Sequence, residues 1–216
     1  MDSVHVPVLC DQVVALLAPA APGLFVDGTV GLAGHASAVL AAAPGFRLLG
    51  LDRDPEALRV AEERLAPDAH RARLVCSELD VFPTVLARYE EEAPAAILAD
   101  LGCSSLQLDT PERGFSFLAD GPLDMRMGKE GPTAADLVNS SSEEELMRLL
   151  WEYGEERRAR SIARAVVHRR RQSPLSTTGE LSRLVVEVLG VRRGARIHPA
   201  TRTFQALRIA VNDELG

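Results

Sequence analysis

Residues 23–45 read GLFVDGTVGLAGHASAVLAAAPG. Leu24–Asp27 has the make-up of a short buried strand, the glycines at 28, 31 and 34 make a turn, and His35–Ala43 is composed as a helix. The next stretch, FRLLGLDRDPEALRVAEERLAP at 46–67, repeats the plan. Its strand is Arg47–Asp52, Asp54 is placed to cap a helix, Pro55 suits the first helical position, and the helix reaches Ala66. A third strand, Arg73–Cys76, precedes a helix around Phe82–Glu92, and a fourth is expected over Ala96–Asp100. Short apolar strands alternating with helices predict an α/β fold, a parallel sheet covered by helices on both faces.

Outward from this core the rhythm changes. Residues 8–18 have helical apolar spacing that stops at Pro19. Residues 101–133 are rich in Gly, Pro, Asp and Ser, and then helices are expected over 142–153, 155–171, 178–189 and 201–215 with no further strand. The pattern predicts a mainly helical insertion following the fourth strand. The 216 residues suit one large domain or one and a half.

Composition excludes some classes of function. No apolar run approaches ~20 residues, so no membrane-spanning helix is expected. The first residues show neither a signal nor a transit-peptide pattern. Cys10, Cys76 and Cys103 are scattered and form no CxxC pair, as in thiols of a reducing compartment; the cytoplasm is expected. Net charge is −7, yet residues 157–208 hold thirteen arginines against two acids. A positive segment in an acidic chain suits a polyanionic partner, or simply a solvated helix surface. Histidines 5, 35, 70, 168 and 198 have no ligand spacing, so no metal is expected. Ser104 lacks a G-x-S-x-G elbow, so no hydrolase triad is legible.

The loop Asp27–His35 offers glycines for close approach of a ligand and free amides at a helix start. Asp52, at the end of the second strand, is suited to both hydroxyls of a ribose. Together they suggest an adenosine-containing cofactor. An NAD-type pyrophosphate would prefer G-x-G-x-x-G without Asp27 before it. That acid better suits the cationic amino-acid end of S-adenosylmethionine.

The stretch ILADLGCSSLQLD at 97–109 runs from a strand end into a carboxylate, two hydroxyls and an amide. Acceptors of this kind can hold an exocyclic amine with its lone pair aimed at a methyl donor. Asp100, Ser104 and Ser105 are the candidate catalytic residues; the plainer alternative is that they cap a turn and a helix.

Several motifs combine into a resemblance. They are HVPVL at 5–9, DGTVGLAGH at 27–35, LDRDP at 51–55, DLGCSS at 100–105, QLD at 107–109, ERGFSF at 112–117, GPLDMRM at 121–127, YGEER at 153–157 and HPATRTFQALR at 198–208. In these the chain closely resembles the small-subunit ribosomal RNA (cytosine-N4)-methyltransferase family, RsmH or MraW, including its mitochondrial relatives. The resemblance implies a class I, Rossmann-like methyltransferase sheet with a helical insertion. It also implies S-adenosyl-L-methionine as donor and N4 of a cytidine in small-subunit ribosomal RNA as acceptor. The RNA would be met naked or in an assembling subunit. Carried over by motif, the cofactor contacts are Ala33, Gly34, His35, Asp52, Leu79, Asp100 and Gln107. Residues 1–104 would form the methyltransferase core, 105–200 the RNA-recognising insertion, and 201–216 a helix returning to the core.

The resemblance leaves two departures. Leu32 and Ala33 interrupt a glycine run, and leucine at a left-handed position would be strained. Only four strands are legible where the family's sheet has seven, so the sheet is expected to be incomplete on its C-terminal side. The alternative function is therefore a non-catalytic RNA- or ribosome-binding relative, with an NAD-dependent oxidoreductase as a third option. Arg113, Phe115 and Arg126 are candidates for a base- or phosphate-binding lid, the other reading being a loop packed on its own side chains. Arg160, Arg164 and Arg171 share a helix face suited to RNA phosphates. Pairing into a homodimer is left open, and an organellar relative would belong in the mitochondrial matrix.

Overall fold

The computed structural model describes residues 7–88, 93–190 and 197–215, which fall into two compact units, 1–104 and 105–216. His5 and Val6 of the quoted motifs lie outside the described residues, as do 89–92 of the helix expected to reach Glu92.

The first unit is a four-stranded, all-parallel sheet. Its strands are β1 (Gly23–Asp27), β2 (Phe46–Asp52), β3 (Ala72–Cys76) and β4 (Ala96–Leu98), in spatial order β3-β2-β1-β4. Helices α1 (Cys10–Leu17), α2 (Gly34–Ala42), α3 (Pro55–Arg64) and α4 (Phe82–Arg88) belong to the same unit. Alternation along β1 and β2 sends side chains to opposite faces. Phe25 and Leu48 join Ala36, Val39, Leu40 and Ala61 of α2 and α3 on one face. Leu24, Val26, Leu49 and Leu51 meet Val85 of α4 on the other. A sheet buried on both faces explains why these strands are continuous apolar runs.

The expected boundaries hold within two or three residues, with instructive exceptions. Asp54 caps α3 as expected, accepting a 3.0 Å bond from the Glu56 amide. The fourth strand stops at Leu98 and not at Asp100. Gly28 N–H donates to Leu98 O at 2.9 Å, closing the ladder, and the Asp100 amide leaves it for the Thr29 hydroxyl.

The second unit is helical: α5 (Ser105–Asp109), α6 (Ala134–Ser140), α7 (Glu143–Glu152), α8 (Ala159–Arg170), α9 (Thr178–Leu189) and α10 (Thr201–Asn212). Its core gathers Leu123, Met125, Leu146, Ile162, Leu181 and Phe204 with their neighbours. Reciprocal capping boxes start three helices: Thr133 with Asp136, Ser142 with Glu145, and Thr177 with Glu180. Helix α8 begins four residues later than expected because Glu155 is left-handed (φ 49°) and the Glu156 carboxylate receives the Arg158 amide at 2.8 Å. Helix α10 ends at Asn212, where Asp213 turns left-handed (φ 48°). Helix α10 packs on α6 and α7.

Asn212 secures the loop that crosses this unit. Its amide donates to Met125 O at 2.8 Å and accepts from Met127 N–H at 2.7 Å. Met125 is itself left-handed (φ 64°) and fully buried. Replacing Asn212 by Leu strands two buried backbone groups. We expect that variant to lose about 2–3 kcal/mol in a urea titration, against under about 1 kcal/mol for a surface change such as Glu144→Gln.

Candidate functional site

The strands all run in one direction, so the acids at or just beyond their carboxyl ends share one edge of the sheet. Asp27 ends β1, Asp52 ends β2, and Asp100 lies two residues past β4. The glycine loop between β1 and α2 is threaded through this edge. Gly28 N–H donates to Leu98 O of β4, and Val30 N–H donates to Leu51 O of β2 at 2.8 Å. Gly31 N–H donates to Asp52 Oδ2 at 2.8 Å, while Asp52 Oδ1 receives the Asp54 amide at 2.9 Å. Asp52 is thus held by two amides, and burial raises its pKa. Leu79 lies over Gly28, where any Cβ would run into its side chain.

The left-handed positions of the loop are Gly31 (φ 51°) and Ala33 (φ 59°). Leu32 is not one of them, so the strain expected there does not arise. Ala33 carries it instead: its methyl is wholly buried, and its carbonyl opens α2 by accepting from Ser37 N–H at 3.0 Å. Gly34 is the first residue of α2. His35 Nε2 donates to Val8 O at 2.8 Å, which fixes that nitrogen as the protonated one. Its Nδ1 faces Asp100 Oδ2 at 3.9 Å, an electrostatic approach beyond hydrogen-bond length. The Asp100 side chain is 48% exposed and open to a ligand. The first unit therefore brings Ala33, Gly34, His35, Asp52, Leu79 and Asp100 to one region. Ser104 is half-buried at the end of that unit; Ser105 opens α5 and Gln107 is buried within it.

Asp27 is 1% exposed, and its carboxylate receives the Thr29 amide at 3.2 Å. Burial raises its pKa to about 7, with Asp52 and Asp100 pushing the same way and His35 opposing. Such an acid holds its proton more tightly folded than unfolded. Its contribution to stability is fullest below its unfolded pKa of 3.8 and is lost as pH rises to about 7. We expect Asp27→Asn to gain on the unsubstituted chain as pH rises from about 4 to about 7, at up to roughly 1.4 kcal/mol per pH unit, and to gain nothing further above that. Stability curves that run parallel in denaturant titrations would contradict the assignment.

In the second unit the candidate arginines divide. Arg113 Nη2 donates to the carbonyls of Arg126 and Met127 at 3.0 and 2.9 Å. Arg126 forks onto both oxygens of Asp124 at 2.9 and 2.8 Å and reaches Lys129 O and Gly131 O. Both guanidiniums fasten their own loop, which fits the self-packed reading. Phe115 is buried; Phe117 stacks on His198 at 4.6 Å and meets Phe204 edge-on at 4.9 Å. These rings line a groove of about 510 Å³ with Leu108, Phe115 and Arg208. His198 also orders the start of α10, its Nδ1 accepting from the Ala200 amide at 3.2 Å. Arg160, Arg164, His168 and Arg171 are all exposed along α8, while Ile162, Ala163 and Val166 are buried. Glu143 of α7 stands 3.5 Å from Arg164, so acids flank the basic stripe. Thr29 escaped the sequence reading altogether; only its place between the two fixed ends of the loop could have marked it. Among the described residues no group of His, Cys, Asp and Glu could hold a metal, and no helix is long and apolar enough to cross a membrane.

Over 212 residues the chain is 50% identical to the ribosomal RNA small subunit methyltransferase H of Methylorubrum extorquens, covering 98% of this chain and 60% of that protein. It is similarly 51% identical over 222 residues to the same-named protein of Geotalea uraniireducens, covering 100% of this chain and 70% of the relative. With that of a Nocardioides species it shares 52% over 217 residues, covering 98% and 68%. The chain thus spans about 60% of the length of the first of these relatives. Its loop and strand-end acids lie within residues 2–216, the whole span over which the sequence matches one family model, and the chain belongs to the MraW methylase family.

Proposed function

We propose that this chain takes part in methylating the exocyclic N4 of a cytidine in small-subunit ribosomal RNA, with S-adenosyl-L-methionine as the donor. The observation that carries the reading is the convergence of Asp27, Asp52 and Asp100 on one glycine loop, where Gly31 N–H has already oriented the Asp52 carboxylate. The donor set fits the cofactor. A carboxylate at the end of β2 suits a pair of ribose hydroxyls, the exposed Asp100 suits a cationic amino-acid end, and Leu79 offers an apolar surface beside the loop. The names of the relatives support the ribosomal RNA substrate.

When bound, the cofactor supplies an electrophilic methyl group. The chain's own task is to hold the acceptor. We assign Asp100, exposed beyond the ladder, to accept N–H bonds from an amine and turn its lone pair toward the donor. We assign Ser104 and Ser105 to the same role as further polar partners, and Gln107 to the cofactor. Arg160, Arg164 and Arg171 would lie on RNA phosphates, setting position without reading sequence. Arg113 and Arg126 contribute by holding their loop in shape, with Phe115 packed inside it.

Isothermal titration with S-adenosylhomocysteine tests the reading. Heat of binding is expected with this ligand and none with NAD. No heat with S-adenosylhomocysteine would overturn it in favour of a non-catalytic RNA-binding relative. Asp52→Ala should weaken that binding at least about tenfold, since it removes charged hydrogen bonds worth over about 1.4 kcal/mol. Arg164→Glu with Arg171→Glu should abolish most RNA association in a filter assay at low salt while leaving the S-adenosylhomocysteine affinity alone; retained RNA binding would remove α8 from the interface.

A further inference from the structure

We propose that Thr29 is a positioning residue, its hydroxyl determining where the Asp100 carboxylate stands at the donor site. The inference rests on the reading of that site given above. Asp100 lies past the last ladder bond of β4, and the chain beyond it runs out through Leu101, 73% exposed, and Gly102. The sheet therefore does not fix Asp100. Its amide has a single hydrogen to give, and it gives it to Thr29 Oγ1 at 2.7 Å, a contact across 71 positions of sequence.

Thr29 is a rigid anchor for that bond. The residue before it is tied to β4 through Gly28 N–H and Leu98 O, and the residue after it to β2 through Val30 N–H and Leu51 O. Its own amide is held by Asp27. With the backbone pinned on three sides and a β-branched side chain restricted at χ1, the hydroxyl oxygen has little freedom. Asp100 inherits that fixity through one short bond. Among the described residues, the approach to its carboxylate from His35 Nδ1, at 3.9 Å, is too long to orient it alone. A carboxylate that must aim an amine gains from being placed within a fraction of an ångström, and one lost tether suffices to spoil it.

The test is a double-mutant cycle on the full chain, read as S-adenosylhomocysteine affinity by calorimetry. Thr29→Val keeps the branched shape and deletes the acceptor; Thr29→Ser keeps the acceptor. We expect Thr29→Val to weaken binding about tenfold and Thr29→Ser to stay within about twofold of the unsubstituted chain. In an Asp100→Ala background, Thr29→Val should cost nothing further, because the group it positions is gone. An equal loss from Thr29→Val in both backgrounds, or a Thr29→Ser variant as weak as Thr29→Val, would reduce Thr29 to a loop-packing residue and overturn the inference. Full affinity in Thr29→Val would do the same while leaving the cofactor site intact. A chain that binds no S-adenosylhomocysteine at all would instead remove the site reading, and this inference with it.

Discussion

The parallel ladder on either side of β1 is the constraint from which the rest of the first unit follows. Once Asp27 pairs with Gly50 on one side and with Leu98 on the other, β1 and β4 end level while β2 runs on to Asp52 beside them. The residues that follow those ends have nowhere to go but across the same edge. A loop that leaves β1 there must satisfy its amides locally. It does so with Leu98 O, Leu51 O, the Asp52 carboxylate and Asp27 itself. The acids at this edge are thus supports of the loop before they are anything else.

This double duty sets the electrostatics of the edge. Burying a carboxylate is unfavourable unless amides or cations meet it. Asp52 has two amides, Asp27 one, and Asp100 a histidine ring at a distance. The arrangement leaves negative potential at a place that a cationic ligand would relieve. The two units also differ in charge: acids gather at this edge of the first, and arginines line α8 in the second.

Much of this was legible in the residues, for definable reasons. The apolar runs of β1 and β2 and the Asp54-Pro55 start of α3 are local signals, and they landed where expected. The acids Asp52 and Asp100 could be placed because each ends such a run. The shortening of β4 could not be, since it depends on a hydrogen bond to Thr29, far away in sequence. The late start of α8 depends on Glu155 adopting a left-handed conformation that its side chain does not favour. Helix α5 is hidden inside the loop-like composition of residues 101–133, and the short α6 follows just beyond it. Its capping box at Thr133 and Asp136 was the signal available. Arg113 and Arg126 show the opposite limit: no local pattern announces that backbone carbonyls and Asp124 receive their guanidiniums.

The left-handed conformation of Ala33 bears on how quickly the loop can respond. A glycine at that position would let the loop sample many shapes, and each binding event would have to select one. The buried methyl of Ala33 closes off those alternatives at a standing cost of roughly 1–2 kcal/mol in backbone strain. The loop is therefore stiff before any ligand arrives. Little conformational entropy remains to be lost on binding, and encounter need not wait for the loop to rearrange.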